Sequence, residues 1–71
     1  MKSFILEGRK FIELYKILKI EGLSSSGGEA KAVIAAGQVL VNGATETQKR
    51  KKITAGDTVE FNSEKILVCS N

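Results

Sequence analysis

Between Gly22 and Gly43 the chain reads GLSSSGGEAKAVIAAGQVLVNG, and within this stretch the period of the apolar residues changes from that of a helix to that of a strand. Ser26 and Glu29 form S-x-x-E, a capping box in which the Ser26 hydroxyl accepts from the Glu29 amide and the Glu29 carboxylate accepts from the Ser26 amide. A helix is therefore expected to begin at about Gly27. Ala30, Val33 and Ile34 follow at i, i+3 and i+4 on one face, and Gly37 supplies the left-handed residue that ends such a helix after about ten residues. Gln38 to Val41 then alternate as a strand. Asn42-Gly43 is the dipeptide that a two-residue type I′ hairpin turn prefers, because both residues tolerate positive φ. A second strand is expected from Ala44.

The flanking segments supply the partners for this stretch. Phe4, Ile5 and Leu6 read as an opening edge strand, closed off by Gly8. From Arg9 to about Ile20, Phe11, Leu14, Tyr15 and Leu18 fall at i, i+3, i+4 and i+7, widened by Ile12 and Ile17, which predicts an amphipathic helix ended by Gly22, with Leu23 folding back on it. Thr54-Ala55-Gly56-Asp57 and Asn62-Ser63-Glu64 read as turns. Between them Thr58 to Phe61 forms a strand with Val59 and Phe61 on one face, and Lys65 to Cys69 forms the last strand. With 71 residues the expectation is one domain over 1–71, of the α+β class, with two main helices on a small, mainly antiparallel sheet.

Several functions lack the residues they need. There is no histidine, and the single cysteine, Cys69, reads as a small packed hydrophobe rather than a reactive thiol. The eight carboxylates are scattered singly, no Cys/His set is present, and Gly27-Gly28 does not complete a phosphate-loop motif. No enzyme activity, metal, cofactor or small-molecule substrate is expected. No apolar run reaches the roughly 18 residues of a membrane span, and MKSFILEG does not read as a signal peptide. The expected compartment is the cytoplasm.

Charge points to a partner. The formal net charge is only +3, but residues 44–56 hold four basic residues against one acidic, while the rest of the chain balances at seven against seven. The excess is the run Lys49, Arg50, Lys51 and Lys52, beside a helix start whose free amides favour anions. Lys31 emerges one turn into that helix and Lys19 lies near the end of the preceding one. A phosphate backbone fits such a surface. A helix-turn-helix reading is disfavoured because Glu29 to Ala36 offers no Arg, Asn or Gln for a bidentate base contact. Phe11, Tyr15 and Phe61 fall on expected core faces and Phe4 has no assigned place, so no aromatic stacking platform is expected. Backbone and shape recognition of structured RNA remains.

In order and spacing these pieces resemble the RNA-binding domain first described in ribosomal small-subunit protein S-four. The matching residues are Gly22-Leu23, Ser26, Glu29-Ala30-Lys31, Gly37-Gln38-Val39-Leu40-Val41-Asn42-Gly43 and Gly56-Asp57, covering about residues 9–61. The SGGEAK loop and the lysine-rich segment resemble the small, stand-alone bacterial branch of the YbcJ and YaaA type. The resemblance implies an αL-motif fold that binds RNA on the face formed by the helix ends and the basic loop. It implies phosphate contacts from Lys31 and from Lys49, Arg50, Lys51 and Lys52, with Lys19 at the margin and Ser26, Gly27 and Gly28 offering backbone amides. Where many members carry Ser-Arg this chain has Ser26-Gly27, and a second basic helix position is Ala32, so the weight falls on residues 49–52. The implied partner is ribosomal or transfer RNA, with ribosome-associated proteins as further candidates. Two alternatives stand beside it: a protein-interaction module docking its basic loop on an acidic or ribosome-associated partner, and DNA binding.

Overall fold

The structure is a computed structural model describing residues 1–70. Its elements in chain order are β1 (Lys2–Ile5), β2 (Ile12–Glu13), α1 (Leu14–Ile20), α2 (Gly27–Ala35), β3 (Leu40–Val41), β4 (Ala44–Thr45), β5 (Lys52–Ile53), β6 (Thr58–Phe61) and β7 (Glu64–Cys69). Five strands form one sheet in the order β1-β7-β6-β3-β4, and β2 pairs with β5 in a separate two-stranded ladder. The sheet is antiparallel except at β1, which lies parallel to β7. The expected α+β architecture, two helices with a mainly antiparallel sheet, is the one observed.

The hairpin tip forms as its dipeptide predicts. Asn42 and Gly43 have φ of 52° and 82°, and Val41 pairs with Ala44 across them. Asn62 and Ser63 make the same kind of tip between β6 and β7, at φ of 53° and 66°. Helix α2 starts at Gly27 as expected, with the Ser26 hydroxyl accepting from the Glu29 amide at 3.1 Å. The reciprocal half of the box is shifted by one residue. The Glu29 carboxylate takes the amide of Ser25 at 3.2 Å and its hydroxyl at 2.9 Å, because Ser25 brings two donors where Ser26 has spent its side chain on the cap.

The first helix departs from expectation. It begins at Leu14 rather than Arg9, because Ile12 and Glu13 are drawn into pairing with Ile53 and Lys52. Only Leu14, Ile17 and Leu18 of this helix are buried, and Phe11 is 40% exposed, outside the core to which the helical period assigned it. Ala30 and Ile34 of α2 are fully buried against α1, with Val33 packed at the margin. On the sheet, the apolar side chains of Phe4, Val41, Val59, Phe61, Ile66 and Val68 complete a single core cluster with Leu6, Ile12, Val39 and Ile53. Each fully buried Leu or Ile contributes about 1.5–3 kcal/mol. Phe4, unassigned from sequence, is therefore a core residue, and Cys69 is only partly buried.

Candidate nucleic-acid interface

The basic segment is fixed to the start of α1 by main chain. An α-helix leaves its first amides without internal partners, and α1 has no side-chain cap at Glu13. Its Leu14 amide instead donates to the Lys51 carbonyl at 3.0 Å, and its Tyr15 amide to the Lys49 carbonyl at 3.1 Å. The β2–β5 ladder continues this seam. Helix start and basic loop are thus one structural unit, and the side chains of residues 50 and 52 are placed by it.

These side chains converge on two aromatic rings. The Lys31 ammonium lies 4.6 Å from the centre of the Tyr15 ring, the Arg50 guanidinium carbon 5.5 Å and the Lys16 ammonium 5.9 Å. Lys52 stands over Phe11 at 5.0 Å. A methyl group placed on Gly27 would meet Tyr15 Cδ2 and Cε2 at 3.9 Å, so the same ring borders the first turn of α2. Glu13 lies at the centre, its Oε1 3.3 Å from Lys16 Nζ and its Oε2 3.3 Å from Arg50 Nη1. Lys16 and Arg50 together hold its carboxyl below the usual carboxylate range, against the opposing effect of desolvation. Exposed cation–π contacts contribute about 0.5–1 kcal/mol each. One carboxylate meets Lys16 and Arg50, and Lys31 stands over the same tyrosine ring, so positive charge is in excess and an anion is the complement the surface lacks.

The sequence-expected residues separate into groups. Lys31, Arg50 and Gly27 gather at Tyr15, with Ser26 fixing the start of α2, Gly28 in its first turn and Lys52 at the adjoining Phe11. Lys51 is exposed and is not among the cations over Tyr15 or Phe11; the partial burial of Asp57 is outweighed by hydrogen bonds from Asn42 and from the amide and hydroxyl of Thr54, with a smaller contribution from the Lys51 charge, so its pKa is lowered. Lys49 is exposed and joins the seam through its carbonyl, and Lys19 is exposed one turn beyond Tyr15 on α1. Asn42 and Asp57 serve turn geometry, with the Thr58 amide donating to Asn42 Oδ1 at 2.9 Å. Glu29, a carboxylate at the start of α2, is occupied by Ser25. Sequence reasoning missed Lys16, Glu13, Tyr15 and Phe11. The charges at positions 13 and 16 sit at i, i+3 and were visible, but with Phe11 and Tyr15 assigned to a core stripe nothing marked that side of the helix as a site.

A helix pair, a hairpin and a small mixed sheet, with cations gathered where the first helix meets the basic loop, define an αL-motif α+β protein. The chain belongs to the S4 domain family, whose pattern it matches over residues 4–69. It is 50% identical over 68 residues to the YbcJ proteins of Escherichia coli (strain K12) and Shigella flexneri, an alignment covering 96% of this chain and 97% of each relative. The solution structure of YbcJ from E. coli, described as revealing an αL motif involved in RNA binding, superposes with a TM-score of 0.76 at 48% identity, covering 99% of this chain and 89% of that one. The 30S ribosomal protein S4e of Thermoplasma acidophilum superposes with a TM-score of 0.67 at 29% identity, over 80% of this chain and 30% of the larger protein.

Proposed function

We propose that this chain binds structured RNA, ribosomal or transfer RNA, by phosphate and shape contacts, and that it works in the cytoplasm as a single ribosome-associated module without catalysing a reaction. The observation that carries this reading is the convergence of Lys16, Lys31 and Arg50 on Tyr15, with one carboxylate among them. Three cations held 4.6–5.9 Å from the centre of one ring repel one another, and a polyanion relieves that repulsion. The likeness to an αL-motif protein involved in RNA binding supports the same partner. No helix among the described residues is long and apolar enough to cross a membrane, and no group of metal-binding side chains is found among them. Lys16, Lys31, Arg50 and Lys52 are assigned to phosphates, Ser26, Gly27 and Gly28 to backbone-amide contacts, and Lys49 and Lys19 to the margin. Lys51, exposed and not among the cations over Tyr15 or Phe11, is assigned to the margin with them.

The test is crosslinking in a native host, with and without ribonuclease, followed by sequencing of the bound RNA. One structured RNA class, crosslinked to peptides containing Lys31 or residues 49–52, is the expected result. A protein complex that survives ribonuclease, with no RNA above background, would overturn the reading in favour of a protein-docking module. Tighter binding to duplex DNA than to folded RNA at equal salt would overturn it in favour of DNA.

A further inference from the structure

Beside the tyrosine-centred cations lies a cleft of about 380 Å³ walled by Arg9, Phe11, Glu13, Lys16, Arg50 and Lys52, with the buried Ile12 at its floor. Its volume falls within the roughly 300–1,000 Å³ of small-molecule sites. Two of its features suit a ligand group other than phosphate. Phe11 is a large apolar ring left 40% exposed because the β2–β5 ladder removes its segment from the helix that would have buried it. Glu13 is a carboxylate kept ionised by Lys16 and Arg50, and so can only accept hydrogen bonds. Arg9, Lys16, Arg50 and Lys52 in the same walls suit a phosphate, but the Phe11 ring and the Glu13 carboxylate have no use for one. A nucleobase meets each wall with its complement: a π-face for the Phe11 ring, with the Lys52 ammonium 5.0 Å from its centre, and N–H groups for the carboxylate.

Resting on the RNA-binding reading above, we infer that the Phe11–Glu13 cleft receives one unpaired base of the bound RNA, with guanine preferred. The duplex part of the RNA lies on Lys31, Arg50 and Lys16, and the base that leaves the stack enters beside them. Guanine presents two adjacent donors, N1–H and the N2 amino group, on its Watson–Crick edge, matching the two oxygens of a carboxylate. Adenine and cytosine offer one amino group on that edge, and uracil one imide N–H. The module would then select a helix interrupted by an extruded base, which gives it discrimination that phosphate contacts alone do not supply.

The experiment uses the full chain and fluorescence anisotropy with a set of RNA hairpins. One has an uninterrupted stem, and four carry a single bulged G, A, C or U in the same stem. The expected result is tightest binding to the bulged-G hairpin. Phe11→Ala removes the advantage of bulged over uninterrupted stems, a loss of roughly 5- to 150-fold on the bulged-G RNA, as alanine replacement of a stacking ring produces, against a smaller fall on the uninterrupted stem as Lys52 loses the ring beneath it. Phe11→Trp retains the advantage, and its indole fluorescence is quenched by the bulged-G hairpin. Glu13→Gln strengthens binding to every hairpin by removing a negative charge, but collapses the preference for G over the other bases. Equal binding of bulged and uninterrupted stems by the wild-type chain, or an equal fall on both in Phe11→Ala, would overturn the base site and leave the phosphate surface standing. Absence of salt-dependent binding to any hairpin would overturn both.

Discussion

The run Lys49 to Lys52 looks uniform in sequence, yet the fold divides it, and replacing Arg50 or Lys51 by Gln should reveal the division. Arg50 lies 3.3 Å from Glu13 and 5.5 Å from the centre of Tyr15, within the cation cluster, whereas Lys51 is exposed and is not among the cations over either ring. The contiguous cations are Lys16, Lys31, Arg50 and Lys52. If each neutralises one phosphate of a helical RNA, log affinity falls with log salt at a slope of about −3.6, and Arg50→Gln reduces this to about −2.7, using about 0.9 per phosphate. Between 50 and 200 mM salt the wild-type chain then loses about 150-fold in affinity and the variant about 40-fold, so the deficit of the variant narrows by about 3.5-fold across that interval. Lys51→Gln should leave the slope at its wild-type value. Both variants should stay folded, since exposed ion pairs contribute about 0.2–1 kcal/mol. Anisotropy titrations against one structured RNA at four salt concentrations give the slopes directly. A slope that changes in Lys51→Gln and not in Arg50→Gln would refute the placement of the interface at Tyr15 and move it to the Asn42–Asp57 turn.

Three further outcomes test the fold and its margins. Gly27→Ala fits, because the added methyl meets Tyr15 only at 3.9 Å, and should stabilise α2 by about 0.5–1 kcal/mol, raising Tm by roughly 2–8 °C. RNA affinity should fall in the same variant as the methyl covers the amides at the start of α2; unchanged affinity would remove Ser26 to Gly28 from the interface. Ser24 is 5% exposed and its Oγ has no hydrogen-bond partner, so Ser24→Ala should leave stability unchanged or raise it by about 1 kcal/mol in urea unfolding, and a loss of that size would contradict the burial of an unpaired hydroxyl. Asp57 has a folded pKa below its ordinary 3.8, so the folded chain binds fewer protons there than the unfolded chain, and the stabilisation is present above 3.8 and lost as pH falls through the lower folded value. Asp57→Asn should therefore be less stable than wild type at neutral pH, with the gap closing on acidification; a gap independent of pH would exclude a role for the charge.

The parts that could be read from sequence are those governed by neighbours. The Ser26 cap, the start of α2 at Gly27, the Asn42-Gly43 tip and the strands Thr58–Phe61 and Glu64–Cys69 each depend on residues within a few positions, and each formed as expected or within one residue. The concentration of positive charge in residues 49–52 is likewise a property of composition along the chain. The extent of α1 was not legible. Residues 9–20 carry a genuine helical period, but the pairing of Ile12 with Ile53 and of Glu13 with Lys52 satisfies the same backbone groups in an extended conformation and buries Ile12 and Ile53 together.

Sequence by itself determined that this chain makes two helices and a small, mainly antiparallel sheet, and that its positive charge stands beside a hairpin. Tertiary structure decided the site. Only the meeting of residues 12–15 with residues 49–53 turns Phe11 outward, brings Arg50, Lys16 and Lys31 to one tyrosine, and separates Lys51 from Arg50. The physical reason is that backbone pairing between segments far apart in the chain competes on equal terms with local helix propensity, and its outcome depends on packing that no single segment contains.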